Sequence, residues 1–287
     1  LYSYIDMVTV VEGLVNYANF SVVDAEVIMS MLSTWGAKFN MILLALSTGI
    51  VVSLIPNLTQ SVVKKDQADV YHKINQSFSV LLFFTLPMAL GISFLSEYIW
   101  NVFYGSSMYG PSVLAYYIFV GLIVGLFTAA ISIVQVLKDY KTVFISLLVG
   151  VILKILLNNN LILAFYKMGL PAYYGVITAS LIGYFVSFVI CIVQLRYKYK
   201  VRYEELVKNF MDILCGAMLM IVGLFVIKYL LPSSSNRLIS FSYIVIYTLI
   251  GGSIYFIYAY KSKLLFNVFG DKVRDLFKKK KSKRKRY

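Results

Sequence analysis

Lys154 and Asn158 are the residues whose types and position demand a chemical reason, because both sit inside the apolar run 142–165. A lysine at the centre of a membrane-spanning helix costs about 2.5–3.5 kcal/mol on insertion scales. Lys154 lies twelve residues beyond Thr142, which is about 18 Å of helix at ~1.5 Å per residue, a depth from which its stem does not easily reach water. Such a residue faces a bundle interior or an aqueous cavity and takes a partner there. Asn158 follows four residues later, on the same helix face. Asn159 and Asn160 point in other directions, so at least one of the three asparagines should meet a neighbouring helix. Two acids near the other end of the chain, Asp6 and Glu12, also stand in an apolar setting. The chemistry these types offer is electrostatic: they can hold an ion or compensate a charge. The sequence presents no Ser/His/Asp arrangement and no metal-spaced cluster. His72 is the only histidine, which excludes a multi-histidine metal or haem site within this chain. Cys191 and Cys215 fall in apolar runs and read as small hydrophobes.

The elements that must position these residues are membrane helices. Of 287 residues, 60% are hydrophobic and 16% aromatic, a composition that points to a polytopic membrane protein. Apolar runs separated by polar turns predict an all-α bundle of about eight spans, near 1–20, 36–58, 74–99, 112–137, 142–165, 172–195, 210–231 and 239–260. Residues 21–33 read as a polar turn, 98–111 as an interfacial loop, and 196–208 as a basic, partly amphipathic stretch along the membrane surface. The net charge is +14, with ten of the 27 Lys and Arg residues between Lys272 and Arg286. In so apolar a chain that excess speaks of topology and anionic lipid, not of nucleic acid. Alternate connections hold 22 of the 27 cations. The positive-inside bias then predicts that the chain enters from the cytoplasm and that its C-terminus is cytoplasmic. The opening residue is Leu1 and the chain begins inside an apolar segment, so a fragment lacking an N-terminal part is expected.

Several stretches carry a family resemblance. Ile50–Leu58 with Pro56, followed by a Lys/Asp loop, resembles the second helix of the C-terminal lobe in the multidrug/oligosaccharidyl-lipid/polysaccharide (MOP) exporter superfamily. Leu86–Ile92 with Pro87 and Gly91, then Phe103-Tyr104-Gly105, is similar to that family's next helix and outer turn. Lys138–Thr142 followed by Lys154 and Asn158, and then Tyr174–Ser180, resemble its fifth and sixth helices. Within the superfamily the chain looks most like the MurJ-type lipid II flippases and stage V sporulation protein B relatives of Firmicutes, which carry two further helices. The resemblance implies helices seven to fourteen of a two-lobed, MATE-like transporter. The expected units are 1–200, a six-helix lobe with its first helix truncated; 201–262, a connector with two additional spans; and 263–287, a basic tail, unstructured over Lys278–Arg286. Their partner would be the missing N-terminal lobe of the same protein.

The same resemblance implies a function without covalent chemistry: flipping an undecaprenyl-linked saccharide, lipid II first, across a bacterial cell membrane. Another polyprenyl-linked polysaccharide unit and a multidrug or cation antiporter are the alternatives. A basic residue near the outer end of the second helix contacts pyrophosphate in such proteins, and counting back from Pro56 places that position within one residue of Lys38. The alternative for Lys38 is an interfacial lysine that snorkels to the headgroups. Relatives bind sodium through an acid on the first helix of this lobe and polar residues on its last two. Asp6, Lys154, Asn158 and Thr178 are the corresponding group here. Lys154 stands where a neutral ligand would, and is expected to replace the ion and pair with Asp6 or Glu12, so that no cofactor is needed. The alternative is an ion pair that only locks helices. Anionic lipids are the expected partners of the tail.

Overall fold

The computed structural model describes residues 2–230 and 236–270. The expected unstructured tail, and residues 232–235 of the last connection, lie outside them. Every regular element among the described residues is helical: α1 (Tyr2–Ala18), α2 (Val22–Ser30), a π-helical turn (Met31–Trp35), α3 (Gly36–Val63), α4 (Gln67–Phe94), α5 (Ser96–Tyr104), α6 (Gly110–Val136), α7 (Tyr140–Lys167), α8 (Tyr173–Tyr199), α9 (Glu204–Leu230), α10 (Arg237–Lys261) and α11 (Leu264–Phe269). Seven of the described segments are long and apolar enough to cross a membrane. The eighth expected span is α1, whose 17 residues lie at the lower limit for crossing. The protein is a multi-pass helical membrane bundle.

Three connections differ from expectation. Residues 21–33 are not a turn, because Ser21 caps α2 by accepting from the Asp24 amide at 3.1 Å. The helix then runs through the π-helical turn into α3, making one 42-residue rod, Val22–Val63. The supposed loop 98–111 contains α5, whose Tyr98, Ile99 and Trp100 are buried. Residues 196–208 are not one separate segment either: α8 continues to Tyr199, Lys200 turns the chain with φ 55°, and α9 starts at Glu204. Polarity was a poor guide in each case, since one capping side chain or one buried aromatic face is enough to hold a short polar stretch in a helix.

The centre of the bundle is α6. It is apolar around its whole circumference and packs against α3, α4, α5 and α8. The closest pairing is α7 with α8. Gly150 and Gly183 face each other there: a Cβ added to either would lie 2.9 Å from the other's carbonyl oxygen. A Cβ on Gly175 would come within 2.5 Å of the Leu161 backbone. Small residues at these points let the two backbones touch, which is how helices associate where lipid removes the hydrophobic driving force. On the far side α4 packs on α9, α9 on α10, and α10 on α5. The described helix ends on the basic side close on lysines in the left-handed region, Lys65, Lys138, Lys200 and Lys263, where a cation also complements the helix dipole.

The α6–α7 turn is fixed by Asp139. Its carboxylate caps α7 at the Thr142 amide, 3.4 Å, and takes Lys198 Nζ at 2.8 Å and Gln194 Nε2 at 3.3 Å, both from α8. Burial acts to raise its pKa, but the hydrogen bonds from Lys198, Gln194 and Thr142 outweigh it and hold the carboxyl at about 2. Its stabilisation is complete above the unfolded carboxyl value of about 4 and fades as pH falls towards 2. Thermal unfolding in detergent should therefore show a loss of Tm between about pH 4 and pH 2 that Asp139→Asn, which keeps the cap, does not share. Asp139→Ala should cost a further ~1 kcal/mol at neutral pH through the lost cap; identical pH profiles for wild type and Asp139→Asn would refute the assignment.

Candidate functional site

The Lys154 side chain is fully buried at the junction of α1, α7 and α8. Its ammonium donates to Asn158 Oδ1 at 3.0 Å, to the Val176 carbonyl oxygen at 3.0 Å and to Ser180 Oγ at 2.8 Å. Asp6 Oδ1 lies 2.7 Å from the same nitrogen. An ammonium has three N–H groups, and four oxygens surround it. The three N–H groups are therefore shared among four acceptors, and the carboxylate contact is both the shortest and the one between opposite charges.

Each element contributes through its own geometry. On α7, the four-residue spacing sets Asn158 one turn beyond Lys154 on the buried stripe with Gly150 and Ser146. On α8, Val176 and Ser180 share the same spacing. The Val176 carbonyl accepts both from Lys154 and from Ser180 Oγ, the latter at 3.3 Å. On α1, Asp6 reaches the ammonium, while Thr9 accepts from Asn158 Nδ2 at 2.6 Å and donates to the Ile5 carbonyl at 2.7 Å. The polar chain Thr9–Asn158–Lys154–Ser180 thus links three helices.

Of the expected group, the structure brings together Asp6, Lys154 and Asn158. Thr178 stands apart: its hydroxyl donates to the Tyr174 carbonyl at 2.7 Å and lies 2.9 Å from Tyr116 Oη. Two residues along a helix is a 200° rotation, so Thr178 and Ser180 cannot face the same neighbour. Glu12 is exposed, about 120° round α1 from Asp6, and has no ion pair among the described residues. Lys38 is also exposed, near the start of α3, and makes no hydrogen bond or ion pair among the described residues. Asn159 turns towards α1 at Gly13, while Asn160 bonds back to the Leu156 carbonyl at 2.8 Å. Thr9, Ser180 and the Val176 carbonyl were missed by sequence reasoning. The i, i+4 pairing of Val176 with Ser180 was visible, but a backbone acceptor leaves no mark on side-chain identity.

The oxygen set fits a small cation in kind and number, yet its centre is filled by the lysine's own nitrogen. A resident sodium ion does not fit together with that ammonium.

The sequence model of the family described as "Lipid II flippase MurJ" matches residues 37–249. The chain belongs to this family. A curated relative, the lipid II flippase MurJ of Bacillus subtilis (strain 168), is 26% identical over 287 residues, covering 97% of this chain and 51% of that protein. A solved structure, "Lipid II flippase MurJ, inward closed conformation", superposes with a TM-score of 0.68 at 19% identity, covering 96% of this chain and 52% of that one. That likeness gives the MurJ fold. The chain spans about half the length of the MurJ relatives it matches.

Removing one member of a buried ion pair strands the other, at about 3–5 kcal/mol. Lys154→Met should therefore lower Tm in detergent sharply, and Asp6→Leu added to it should restore much of the loss. A double variant no more stable than Lys154→Met would show that the pair is not coupled.

Proposed function

We propose that this chain is the C-terminal half of a transporter that turns lipid II, a lipid-linked precursor of the cell wall, over the bilayer by alternating access. The observation that carries the reading is the family match across 37–249; the matched relatives are described as lipid II flippases. A pyrophosphate-linked saccharide cannot cross hydrocarbon unaided, so the protein must offer it a hydrated, cationic path between two lobes while the prenyl tail stays in lipid. No bond is made or broken in that task, and on this reading the protein is not an enzyme.

The face of α3 opposite its packed side supports such a path. Lys38, Gly49, Ser53 and Gln60 are all exposed, and at 100° per residue they fall within one narrow sector, which they share with exposed Ile42 and Pro56. Facing lipid, the Lys38 ammonium and the Gln60 amide would be expensive; facing a watery cavity shared with an N-terminal lobe, they are not. Lys38 would meet the pyrophosphate there. The proposed units remain 1–200 for the lobe, 201–262 for the connector and added spans, and 263–287 for the tail, with the C-terminus cytoplasmic.

On the same reading Lys154 is a built-in counter-ion. The protein then needs no sodium, and the membrane potential, about 2.3 kcal/mol per charge per 100 mV, can bias the cycle. The caged geometry of the ammonium favours this.

Depletion of the protein in cells without a redundant flippase should leave lipid II on the cytoplasmic face. An unchanged distribution would overturn the proposal. Lys38→Ala should lower translocation about ten-fold or more at normal expression, since a charge-assisted contact is worth about 1.5–3 kcal/mol. Replacing sodium by choline should leave the rate unchanged; a sodium requirement would sink the counter-ion reading. Normal transport by a folded Lys154→Ala protein would assign Lys154 to helix locking alone.

A further inference from the structure

The junction of α8 and α9 holds a basic cup that the transport reading does not use. A cavity of about 500 Å³ is lined by Arg196, Val201, Arg202, Tyr203, Val207 and Lys208, with Glu204 at its rim. Its size lies inside the ~300–1,000 Å³ range of small-ligand sites. The three cations are exposed, and none makes a hydrogen bond or ion pair through its side chain among the described residues. Asp139 is engaged with Lys198 and Asp69 with Lys73, while Glu205, which meets His72, keeps its negative charge. Three cations and one acid, Glu204, line the cup, and with the neighbouring Glu205 counted it keeps an excess of one positive charge.

The cup is built, not a chance meeting of surface lysines. Its floor is Val201, which is buried and whose amide bonds to the Leu195 carbonyl at 3.1 Å, closing the end of α8. The Arg202 carbonyl accepts from Asn75 Nδ2 of α4 at 2.8 Å. Tyr203 Oη donates to the Ile192 carbonyl at 3.0 Å, and the Tyr203 carbonyl receives the Val207 amide at 2.9 Å. The backbone that carries Arg202 is thus pinned to α4 and α8, so little ordering remains to oppose binding.

Beneath the cations the surface turns apolar. Val193 lies three residues before Arg196 on α8; Val207 and, one turn on, Met211 continue down α9, and all three are exposed. Cations above an apolar strip match a phosphate headgroup with acyl chains below it, and basic recesses between membrane helices are sites of that kind.

We propose that this cup is a binding site for the headgroup of an anionic phospholipid, with the phosphate among Arg196, Arg202 and Lys208 and the acyl chains along Val193, Val207 and Met211. The site is distinct from the basic tail, and the proposal stands whether or not the chain moves lipid II.

The test is native mass spectrometry and lipid pull-down on the protein in nanodiscs of phosphatidylcholine with or without phosphatidylglycerol. Arg196→Gln, Arg202→Gln and Lys208→Gln are made singly and together, and tail variants with Lys278 to Lys281 changed to Gln serve as the comparison. Each charge removed from the cup should weaken phosphatidylglycerol retention about five-fold, from ~1 kcal/mol per basic residue near the surface. Thermal unfolding in phosphatidylcholine, where the site is empty of anionic lipid, should be unchanged by the single variants. Retention lost with the tail and not with the cup would overturn the proposal. So would displacement of phosphatidylglycerol by millimolar inorganic phosphate, which would make the cup a free-anion site.

Discussion

The bundle depends on the solvation of one ammonium. A lysine taken out of water must recover its lost interactions or destabilise the fold, and Lys154 recovers them from four oxygens on three helices. This requirement sets where α1 sits. α1 packs along α7, and its polar links to the rest of the bundle at that depth are Asp6 and Thr9. Hydrophobic packing alone has little direction inside lipid, so a charge contact at a defined position gives α1 its register.

That cage works only because α7 and α8 approach closely. The paired Gly150 and Gly183, and Gly175 against the Leu161 backbone, remove the side chains that would hold the two helices apart. The approach brings the Val176 carbonyl, already committed within its own helix, near enough to accept a second bond. At the basic end of the same pair, Asp139 joins the α7 cap to Lys198 and Gln194. Two buried carboxylates, one meeting the middle of α7 and one at its first turn, thus pin α7 at both levels, to α1 within the bundle and to α8 at its edge. The α3 face bearing Lys38 lies outside this locked unit and is exposed.

The elements were largely legible in the sequence, for physical reasons particular to membranes. Hydrocarbon requires each crossing segment to satisfy its own backbone, so length and apolarity suffice to find α4, α6, α7 and α8. Short elements obey weaker rules. α2 and α5 were read as turn and loop because their fates rest on the Ser21 cap and on the packing of Tyr98, Ile99 and Trp100, which are contacts with other parts of the chain. The continuation of α8 to Tyr199 and the pinned turn that follows likewise depend on distant partners, the Asn75 amide as donor to the Arg202 carbonyl and the Ile192 carbonyl as acceptor from Tyr203.

By itself, the sequence determined that Lys154 had to be buried with company, since no lysine so deep in an apolar run can remain unpaired in lipid. It also determined that Asn158 would share its face, because helical periodicity is local. Only the tertiary structure decided which acid answers the charge. Asp6 and Glu12 are six residues apart on α1, and the rotation of that helix turns one inward and leaves the other exposed. Tertiary structure likewise chose Ser180 and a backbone carbonyl over Thr178, since the direction α8 presents to α7 is set by how Gly175 and Gly183 pack on the Leu161 backbone and Gly150, contacts with another helix that the α8 sequence does not name.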